Sequence, residues 1–456
     1  MKLNKLMFRE YDIRGIWQED INEEVSYHIG RAFATKLLSK KKDTAIVGYD
    51  NRLSSSIIEE NLVKGLTDGG VNVVRLGLVT TPMYYYAWDK LNIHCGIMIT
   101  ASHNPKEYNG FKMSYNGIHN CFGSEVSELY YVILNGIYSE GKGTITNVDI
   151  KEDYIKMIKD HISLGKNKVK VVYDCGNGTT SIVANEIFKN TDNIEYIPMF
   201  NTSDGTFPNH HPDPSVEDNL TALKAKVVEE KADCGIAFDG DGDRVGVVDE
   251  QGKFIDIDKY MIIIWRDIYD KVDNKAGFYD VKCSNALKEE LIKLGVKPVE
   301  TRTGNSYTKL ISVENNYPFG GELSGHLYFR DRFIGTDDGI YGGLRLVEIL
   351  SRTNKKTSQL LEGIPVYYNK QEGKNHVDDD KKDVVMAKIE EYCKEKNYKY
   401  LTIDGIKVIY DDGFALVRKS NTTPNITTRY EAKTKERLEE ISNEFDGLLN
   451  RVKEEV

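Results

Sequence analysis

The chain has 456 residues, more than the ~250 to 300 at which a single hydrophobic core usually stops growing, so several domains are expected. Hydrophobic residues make up 40% and charged residues 29% of the chain, which are globular proportions that exclude a disordered or fibrous protein. The net charge of -10 at pH 7 argues against a nucleic-acid or anionic-membrane partner, so any anionic ligand must be held locally.

The N-terminal segment and the apolar runs give an expectation about location. Residues 1–6 interrupt their apolar positions with lysines and do not build the apolar stretch of a signal peptide. The densest apolar run, residues 261–265, falls far short of the ~18 residues that a membrane span needs. The six cysteines show no CxxC spacing, so we expect reduced, structural thiols. We expect a cytoplasmic protein without a membrane partner.

Three apolar runs rich in β-branched residues each end in a polar turn, and a helix-compatible segment follows each one. They are residues 45–50, 169–174 and 277–280. This pattern is typical of the opening of a strand–helix unit. We therefore expect three similar α/β domains, which cover residues 1–149, 150–250 and 251–364.

The character of the chain changes past Pro365. The charged run at residues 378–383 predicts a solvated loop and the start of a helix. Near the end of the chain, apolar residues recur at steps of three and four, which predicts an amphipathic helix that packs on a sheet. These residues are Leu438, Ile441, Phe445, Leu448 and Val452. A smaller α+β domain is expected over residues 365–456.

The first loop with a candidate chemical role follows a predicted buried strand at residues 97–99. The strand runs directly into residues 100–105, where Asn104 and Pro105 favour a turn. This turn exposes Ser102 at the carboxyl end of the strand, which is where α/β sheets bind ligands. Ser102 is therefore a candidate for a role in a ligand site.

The second loop carries three carboxylates between two predicted strands. Asp239, Asp241 and Asp243 alternate with glycines, which allow the backbone to fold tightly around one hard cation. Without a cation such a cluster would repel itself. We therefore predict a metal site for these residues.

Two other interpretations of the acidic loop remain at this stage. In calcium-loop spacing the aspartates take positions one, three and five, and Glu250 takes position twelve. Arg244 occupies the position that needs glycine, however, and the flanking segments resemble strands. The other alternative is a phosphotransferase in which Asp239 carries the phosphoryl group and Asp241 is the acid or base.

Two further loops offer polar groups of different kinds. Residues 320–326 place Glu322, Ser324 and His326 on a glycine-rich segment, and this combination suits the vicinal hydroxyls of a sugar. The loop lacks the G-x-S-x-G spacing of a hydrolase nucleophile. Residues 418–424 offer a cation, hydroxyls and turn backbone, which are the groups that bind a phosphate.

The four loops, in this order and at this spacing, resemble the α-D-phosphohexomutase superfamily, most closely its bacterial phosphomannomutase/phosphoglucomutase branch. The resemblance covers essentially the whole chain, from residues 11–15 to the last helix. Secondary matches lie at residues 48–54, 108–112 and 207–214. The resemblance implies three similar α/β domains with mixed sheets between helices, plus a smaller C-terminal α+β domain, arranged around a central cleft.

The resemblance implies that Ser102 is carried as phosphoserine and that its phosphate shares one Mg²⁺ with Asp239, Asp241 and Asp243. Phosphorylation places close to two negative charges on the serine, so a divalent cation beside it is also required electrostatically. The remaining catalytic residues that the resemblance implies are Arg14, Lys112 and His326. Lys112 and His326 are the acid/base candidates.

The resemblance also assigns residues to the substrate. Glu322 and Ser324 would grip the sugar. The phosphate that is not reacting would be held by Arg418, Ser420, Asn421 and Thr422. Further substrate-binding positions would be Tyr11, Arg244, Lys282 and His326.

The implied reaction interconverts hexose 1-phosphate and hexose 6-phosphate, of mannose or glucose, through a hexose 1,6-bisphosphate that also activates the enzyme. Phosphoglucosamine mutase is the alternative specificity, and a non-catalytic calcium-binding module is the alternative class. One position departs from the pattern, because the branch commonly has a histidine where this chain has Asn305. An amide cannot titrate, so the acid/base role moves to His326 and Lys112.

Overall fold

The computed structural model describes residues 3–189, 193–420 and 423–456. These residues form two compact units. The first contains the described residues up to Ile268 together with Gly304–Glu362, and the second contains Tyr269–Thr303 and Gly363–Val456. Among the described residues, no helix is both long enough and apolar enough to cross a membrane.

The first sheet begins the first unit. Its six strands have the order β1-β5-β4-β2-β3-β6, and only β5 runs antiparallel to its neighbours. Ala45, Ile46 and Val47 on β2 are fully buried, as expected for a strand covered by helices on both faces. The elements are β1 (Ile13–Ile16), α1 (Glu23–Ser39), β2 (Thr44–Tyr49), α2 (Ser55–Asp68), β3 (Asn72–Leu78), α3 (Thr81–Lys90), β4 (Gly96–Ile99), β5 (Tyr108–Ser114), α4 (Ser124–Asn135) and β6 (Ile145–Asn147).

The second sheet repeats this combination of parallel and antiparallel strands. Its order is β11-β10-β9-β7-β8, with β7 parallel to β8 and β9, and with antiparallel pairing from β9 through β10 to β11. The acidic loop is the turn of the β9–β10 hairpin. The elements are α5 (Lys151–Asp160), β7 (Val169–Asp174), α6 (Ala184–Phe188), β8 (Ile194–Met199), α7 (Thr221–Glu230), β9 (Cys234–Phe238), β10 (Val245–Asp249) and β11 (Phe254–Ile255).

The third segment contributes to both units. In the second unit β12 and β13 pair in parallel, and in the first unit β14 and β15 form an antiparallel hairpin. The same kinds of strand pair therefore occur a third time. The elements are α8 (Ile257–Ile268), β12 (Ala276–Asp280), α9 (Asn285–Lys293), β13 (Lys297–Thr301), α10 (Asn305–Glu314), β14 (Phe319–Gly321), β15 (Leu327–Phe329) and α11 (Gly339–Arg352).

The C-terminal segment has a different sheet, in which every pair is antiparallel. Its order is β16-β21-β20-β19-β18, and β17 also pairs with β21. The predicted apolar stripe of the last helix, from Leu438 to Val452, is buried in the core of this segment. The elements are β16 (Tyr368–Asn369), β17 (Gly373–His376), α12 (Lys382–Glu395), β18 (Tyr400–Leu401), β19 (Ile406–Tyr410), β20 (Gly413–Lys419), β21 (Asn425–Ala432) and α13 (Lys435–Glu455).

The predicted fold class is confirmed. Three similar α/β domains with mixed sheets precede a smaller α+β domain at the C-terminus. The three predicted strand openings at residues 45–50, 169–174 and 277–280 correspond to β2, β7 and β12. Four short 3-10 helices complete the described elements, at Lys5–Met7, Thr179–Ile182, Glu217–Leu220 and Thr357–Leu361.

Candidate active site

Ser102 lies in the loop between β4 and β5, where the sequence predicts it. It is buried and adopts a left-handed backbone conformation with φ of 51°, which is uncommon for a residue other than glycine. The Thr100 hydroxyl accepts its backbone N–H at 2.8 Å. The Ser102 hydroxyl donates to Asp239 Oδ2 at 2.7 Å, and its oxygen lies 3.2 Å from His103 Nδ1. The serine loop and the acidic loop therefore meet at this hydroxyl.

Arg52 stabilises the serine loop through hydrogen bonds to its backbone. Its guanidinium is buried and donates to the carbonyls of Ser102 at 2.8 Å and Asn104 at 2.7 Å. It also donates to the carbonyls of Pro105 at 2.6 Å and Tyr108 at 2.9 Å. Sequence reasoning did not single out Arg52, although it lies in the matched segment 48–54. One side chain thus satisfies four backbone carbonyls, three in the turn and one at the start of β5.

The acidic loop brings its three carboxylates together. Asp239, Asp241 and Asp243 are fully buried, and one oxygen of each lies within 4.8 Å of the others. Gly240 is required by close approach, because a Cβ there would lie 2.6 Å from the Ser102 carbonyl oxygen. Gly242 is required by its φ of 83°, which strains residues with a side chain. The glycine spacing thus has the steric cause that the sequence indicates.

The hydrogen bonds around the carboxylates leave two oxygens for a ligand. Asp241 Oδ2 accepts from the Thr81 hydroxyl at 2.6 Å and from Lys112 Nζ at 2.8 Å. Asp243 Oδ2 accepts from Lys112 Nζ at 2.5 Å. Asp241 Oδ1 and Asp243 Oδ1 are buried and have no hydrogen-bond partner among the residues that the structure describes. Unpaired carboxylate oxygens beside a serine hydroxyl fit a hard divalent cation, so these residues form a candidate metal site.

The carboxyl groups of Asp239 and Asp241 have different affinities for a proton. Burial and the charges of Asp241 and Asp243 raise the pKa of Asp239 well above its ordinary value. Burial acts in the same sense on Asp241, but Lys112 and the Thr81 hydroxyl outweigh it and lower the pKa of this carboxyl. For Lys112, burial is outweighed by Asp241 and Asp243, which raise the pKa of the ammonium well above its ordinary value. Lys112 is therefore a cation held against the acidic loop.

Arg244 and His326 also lie next to the acidic loop. Arg244 Nε donates to His326 Nε2 at 3.0 Å and lies 3.7 Å from Asp239 Oδ2. Asn305, which stands where the resembling branch commonly has histidine, places its side-chain nitrogen 3.2 Å from His326 Nδ1. The structure therefore brings His326 into the same site as Ser102 and the acidic loop.

Arg14 and Tyr11 precede the serine loop in the first unit. Arg14 donates to the Asn104 side chain at 2.5 Å and to the Ala101 carbonyl at 3.4 Å, and it pairs with Asp12. The Tyr11 ring lies against Gly304, since a Cβ at Gly304 would lie 2.4 Å from the ring. Arg14 is thus one more cation at the serine loop.

Glu322 and Ser324 lie in the loop between β14 and β15. The Glu322 carboxylate is buried and accepts from the Gly304 backbone N–H at 2.5 Å and from the Thr308 hydroxyl at 3.0 Å. Ser324 is half-buried in the same loop. These contacts tie the sugar-binding candidate Glu322 to the start of α10.

The second unit contains the other candidates. Lys282 lies 3.8 Å from Asp280 and 3.7 Å from Glu372. Arg418 lies at the end of β20, and two of its nitrogens contact Asp404 Oδ2 at 2.9 Å. Ser420 lies in the turn that follows. The predicted phosphate-binding residues Asn421 and Thr422 lie outside the described residues.

Lys382 supports this turn from α12. Its ammonium donates to the Ser420 carbonyl at 2.9 Å and to the Thr423 carbonyl at 2.7 Å. The Ser420 hydroxyl and the Thr423 hydroxyl are 2.8 Å apart. Sequence reasoning treated the charged run that includes Lys382 as solvated, whereas this lysine is buried.

Comparison with known protein families covers nearly the whole chain. Four domain profiles described as phosphoglucomutase/phosphomannomutase match in order. They are alpha/beta/alpha domain I at residues 5–129, alpha/beta/alpha domain II at 152–252, alpha/beta/alpha domain III at 256–368 and the C-terminal domain at 373–448. The chain belongs to the phosphoglucomutase/phosphomannomutase family.

Relatives within this family are similar over their full length. The phosphomannomutase/phosphoglucomutase of Pseudomonas syringae pv. tomato is 40% identical over 446 residues, which are 98% of this chain and 95% of that protein. A phosphoglucomutase of Neisseria meningitidis is 36% identical over 97% of this chain and 96% of its own length. The crystal structure of a phosphoglucomutase/phosphomannomutase family protein of Burkholderia thailandensis has a TM-score of 0.91 at 35% identity, covering 99% of this chain and 98% of that one.

Family membership confirms the predicted enzyme class. The chain is a hexose phosphate mutase, an enzyme of the isomerase class, and its ligand is a small-molecule phosphosugar. The calcium-binding alternative is not favoured, because strands β9 and β10 flank the acidic loop instead of the two helices that a calcium-binding hand requires. Phosphoglucosamine mutase is not favoured by these relatives.

Proposed function

We propose that this chain interconverts the 1-phosphates and 6-phosphates of glucose and mannose through a phosphoserine at Ser102. The observation that carries the proposal is the 2.7 Å hydrogen bond from the Ser102 hydroxyl to Asp239 within the buried carboxylate cluster. A hydroxyl at this position is next to the site of a cation that would neutralise a phosphoryl group. The reaction class then follows from the family.

We propose Mg²⁺ as the metal, with Asp239, Asp241, Asp243 and the Ser102 oxygen as the residues that would hold it. Support comes from the two unpaired oxygens of Asp241 and Asp243 and from the all-oxygen donor set, which suits a hard cation. When bound, the ion supplies charge stabilisation for the transferred phosphoryl group. The protein groups around it then have to position the sugar and move protons.

In the first step the P–Oγ bond of phospho-Ser102 breaks and a P–O bond forms on the free hydroxyl of the hexose phosphate. The proton of that hydroxyl passes to a base, and the serine oxygen takes a proton from an acid. We assign the acid to Lys112, which is held as a cation, and the base to His326. The Nε2 lone pair of His326 accepts from Arg244 in the free enzyme, and it is released for the sugar proton when Arg244 turns to the transferred phosphate. Positioning and charge stabilisation dominate such a transfer.

In the second step the hexose 1,6-bisphosphate rotates so that its two ends exchange places. It then returns its other phosphate to Ser102. As the new P–O bond to Ser102 forms, the serine hydroxyl returns its proton to Lys112. The sugar oxygen that loses the phosphoryl group takes up the proton held on His326, so the cycle closes. Free hexose 1,6-bisphosphate would phosphorylate Ser102 by this same step, which makes it the proposed activator. Arg14 and Arg244 flank the serine and acidic loops and are proposed to bind the transferred phosphate.

We propose that Glu322 and Ser324 bind the sugar hydroxyls and that Tyr11 borders the same ligand. The phosphate that is not reacting is assigned to Arg418, Ser420, Asn421, Thr422 and Lys282. The contact between Arg418 and Asp404 supports this assignment, because it orients the guanidinium at the end of β20. Lys382 supports it by holding the turn after β20.

The proposed domain boundaries are residues 1–149, 150–250, 251–364 and 365–456. The profile matches at 5–129, 152–252, 256–368 and 373–448 support them. We further propose that the enzyme acts in the cytoplasm. The six cysteines support this location, since all are buried and none of them forms a disulfide bond, as is usual where thiols stay reduced.

A coupled assay tests the proposal. The purified chain is given glucose, mannose or glucosamine 1-phosphate with Mg²⁺ and a trace of glucose 1,6-bisphosphate, and formation of the 6-phosphate is followed. We expect turnover of glucose and mannose 1-phosphates that requires the bisphosphate and disappears in Ser102→Ala. Turnover of glucosamine 1-phosphate alone would assign the other specificity and overturn the proposal.

A further inference from the structure

A chain of buried hydrogen bonds runs from Arg244 through His326 to Asp337, and Asp337 is a residue that no sequence motif points to. Arg244 Nε donates to His326 Nε2 at 3.0 Å. On the opposite side of the ring, His326 Nδ1 lies 2.8 Å from Asp337 Oδ2. Asn305 donates its side-chain N–H to the same oxygen. Asp337 is fully buried and His326 is 4% exposed.

These contacts determine which ring nitrogen carries the proton. A guanidinium has donors and no acceptor and stays protonated in proteins, so Arg244 must donate to His326. His326 Nε2 is therefore the unprotonated nitrogen. The proton of the neutral ring is on Nδ1, which donates it to the Asp337 carboxylate. The tautomer follows from the position of heavy atoms alone.

The same contacts exclude a metal site formed by Asp243, His326 and Asp337. Asp243, His326 and Asp337 each place a donor atom within 4.8 Å of the others, which is close enough for a second cation. A nitrogen that carries a proton cannot bind a metal, however, and Nδ1 is the nitrogen that faces both carboxylates, 3.6 Å from Asp243 and 2.8 Å from Asp337. The cluster is therefore a hydrogen-bonded relay instead of a metal site.

The surroundings supply a counter-charge for Asp337. The Lys309 ammonium is buried, has no hydrogen-bond partner among the described residues, and lies 3.2 Å from the centre of the Tyr85 ring. Burial lowers the pKa of Lys309 to about 7, so the amine is partly charged near neutral pH, and when protonated it favours the Asp337 carboxylate. A buried lysine without a hydrogen bond is costly, so it needs a compensating role such as this one.

We propose that Asp337 is a positioning residue for the mutase reaction: it orients the His326 ring and holds its proton on Nδ1, which leaves Nε2 as the acceptor beside Arg244. The proposal rests on the proposed function, because His326 is the base only in that mechanism. Carboxylates that orient a metal-binding histidine typically contribute about 10- to 100-fold to activity, and we expect an effect of the same order for Asp337.

Neutron diffraction on the wild-type protein and the nearly isosteric Asp337→Asn variant tests the tautomer directly. We expect deuterium on Nδ1 and none on Nε2 of His326 in the wild type. In Asp337→Asn, Arg244 should still keep Nε2 unprotonated, but the neutral amide is a weaker acceptor, so the hydrogen bond from Nδ1 should lengthen and the His326 ring should turn from its wild-type orientation. Deuterium on Nε2 in the wild type would overturn the proposal.

Kinetics test the consequence for the reaction. With glucose 1-phosphate, kcat of Asp337→Asn should fall about 10- to 100-fold while KM changes less than about threefold. Asp337→Glu, which keeps the carboxylate, should recover part of kcat. The matched control is Asp249→Asn, since Asp249 is also buried but only accepts backbone N–H groups in the β10–β11 turn, and its kcat should be unchanged. Equal losses in the two Asn variants, or no loss in Asp337→Asn, would overturn the proposal.

Metal analysis separates the relay from a second cation site. Wild type and Asp337→Asn should bind the same number of Mn²⁺ ions per chain, and a loss of one ion in the variant would overturn the relay. If the wild-type protein turned over no hexose phosphate, the proposed function would fail, whereas the neutron experiment would still report the His326 tautomer. The two failures are therefore distinguishable.

Discussion

The Ser102 hydroxyl donates a 2.7 Å hydrogen bond to Asp239 Oδ2 although 137 residues separate the two in the chain. Ser102 follows β4 of the first sheet, and Asp239 follows β9 of the second. Each strand delivers its loop at its carboxyl end, so the contact joins two separate α/β sheets at their ligand-binding edges.

Ser102→Ala should lose the covalent phosphate, because the nucleophilic oxygen is gone. We expect kcat to fall by at least about 10³-fold. Intact-mass analysis before and after incubation with glucose 1,6-bisphosphate measures the phosphate. Ser181→Ala is the control, since the Ser181 hydroxyl bonds only to the nearby Gly178 carbonyl, and it should retain the phosphate. Acid-labile phosphate on Asp239 would contradict the assignment and support an aspartyl-phosphate enzyme.

Asp241→Asn should weaken metal binding, because an amide replaces the carboxylate whose Oδ1 has no hydrogen-bond partner in the described part of the chain. We expect kcat to fall about 10²- to 10³-fold, or roughly 3 to 4 kcal/mol of barrier. Calorimetric titration with Mg²⁺ and the dependence of rate on Mg²⁺ concentration measure the effect, with Asp249→Asn as control. Full activity of the wild type in excess chelator would refute the metal site.

Arg52→Lys should disorganise the serine loop, because an ammonium cannot reach the four carbonyls that the guanidinium now satisfies. We expect Tm to fall by about 5 °C and kcat by about 100-fold. Arg451→Lys, at an exposed position on α13, is the control and should change neither. An Arg52→Lys variant with normal kcat would show that the loop keeps its shape without this support.

Glucose and mannose 1-phosphates should be used with kcat/KM values within about tenfold of each other, or roughly 1.4 kcal/mol. Glu322 and Ser324 are proposed to bind the hydroxyls at carbons 3 and 4, which these two sugars share. Because the proposed bisphosphate intermediate would bind in two opposite orientations, recognition at carbon 2 would be hard to maintain in both. Galactose 1-phosphate, inverted at carbon 4, should be rejected far more strongly.

The measurement for this prediction is kcat/KM for the three sugars in wild type and in Glu322→Gln. The variant should lose activity towards glucose and mannose by the same factor. A thousandfold preference between glucose and mannose in the wild type, or comparable use of galactose 1-phosphate, would show that these residues do not bind the hydroxyls as proposed.

Asp338 should make stability depend on pH. It caps α11 by accepting the Tyr341 N–H and receives the Tyr154 hydroxyl at 2.7 Å, and its burial raises the carboxyl pKa to about 7. The folded chain therefore holds a proton that the unfolded chain releases near pH 4. The contribution of this proton to the free energy of unfolding is fully present below about pH 4. It is lost as pH rises through about 7.

Asp338→Asn keeps a neutral cap and removes this titration. The variant should therefore melt at a higher temperature than wild type at pH 8, while the difference should approach zero below about pH 4. Differential scanning calorimetry of both proteins at several pH values measures the difference, in which the other titrating groups cancel. A difference that is independent of pH would contradict the raised pKa.

The sequence by itself was sufficient to locate the serine loop, the acidic loop and the C-terminal helix. Each has a local signal with a local cause. Ser102 follows a short apolar strand at an Asn-Pro turn, and Gly240 is required because the Ser102 carbonyl lies against it. The apolar stripe of α13 repeats at helical spacing and is buried accordingly.

Only the tertiary structure showed which residues support those loops. Arg52, Thr81 and Asp337 have no motif of their own, and they reach the site because sheet order and loop path bring distant segments together. Thr81 contacts Asp241 although 160 residues separate them in the chain. Asp337 and Asp338 are adjacent residues of the same type, so the sequence does not indicate that Asp337 contacts His326 while Asp338 contacts Tyr154. Local patterns encode strands, turns and helices, whereas hydrogen bonds between buried polar groups depend on how those elements pack.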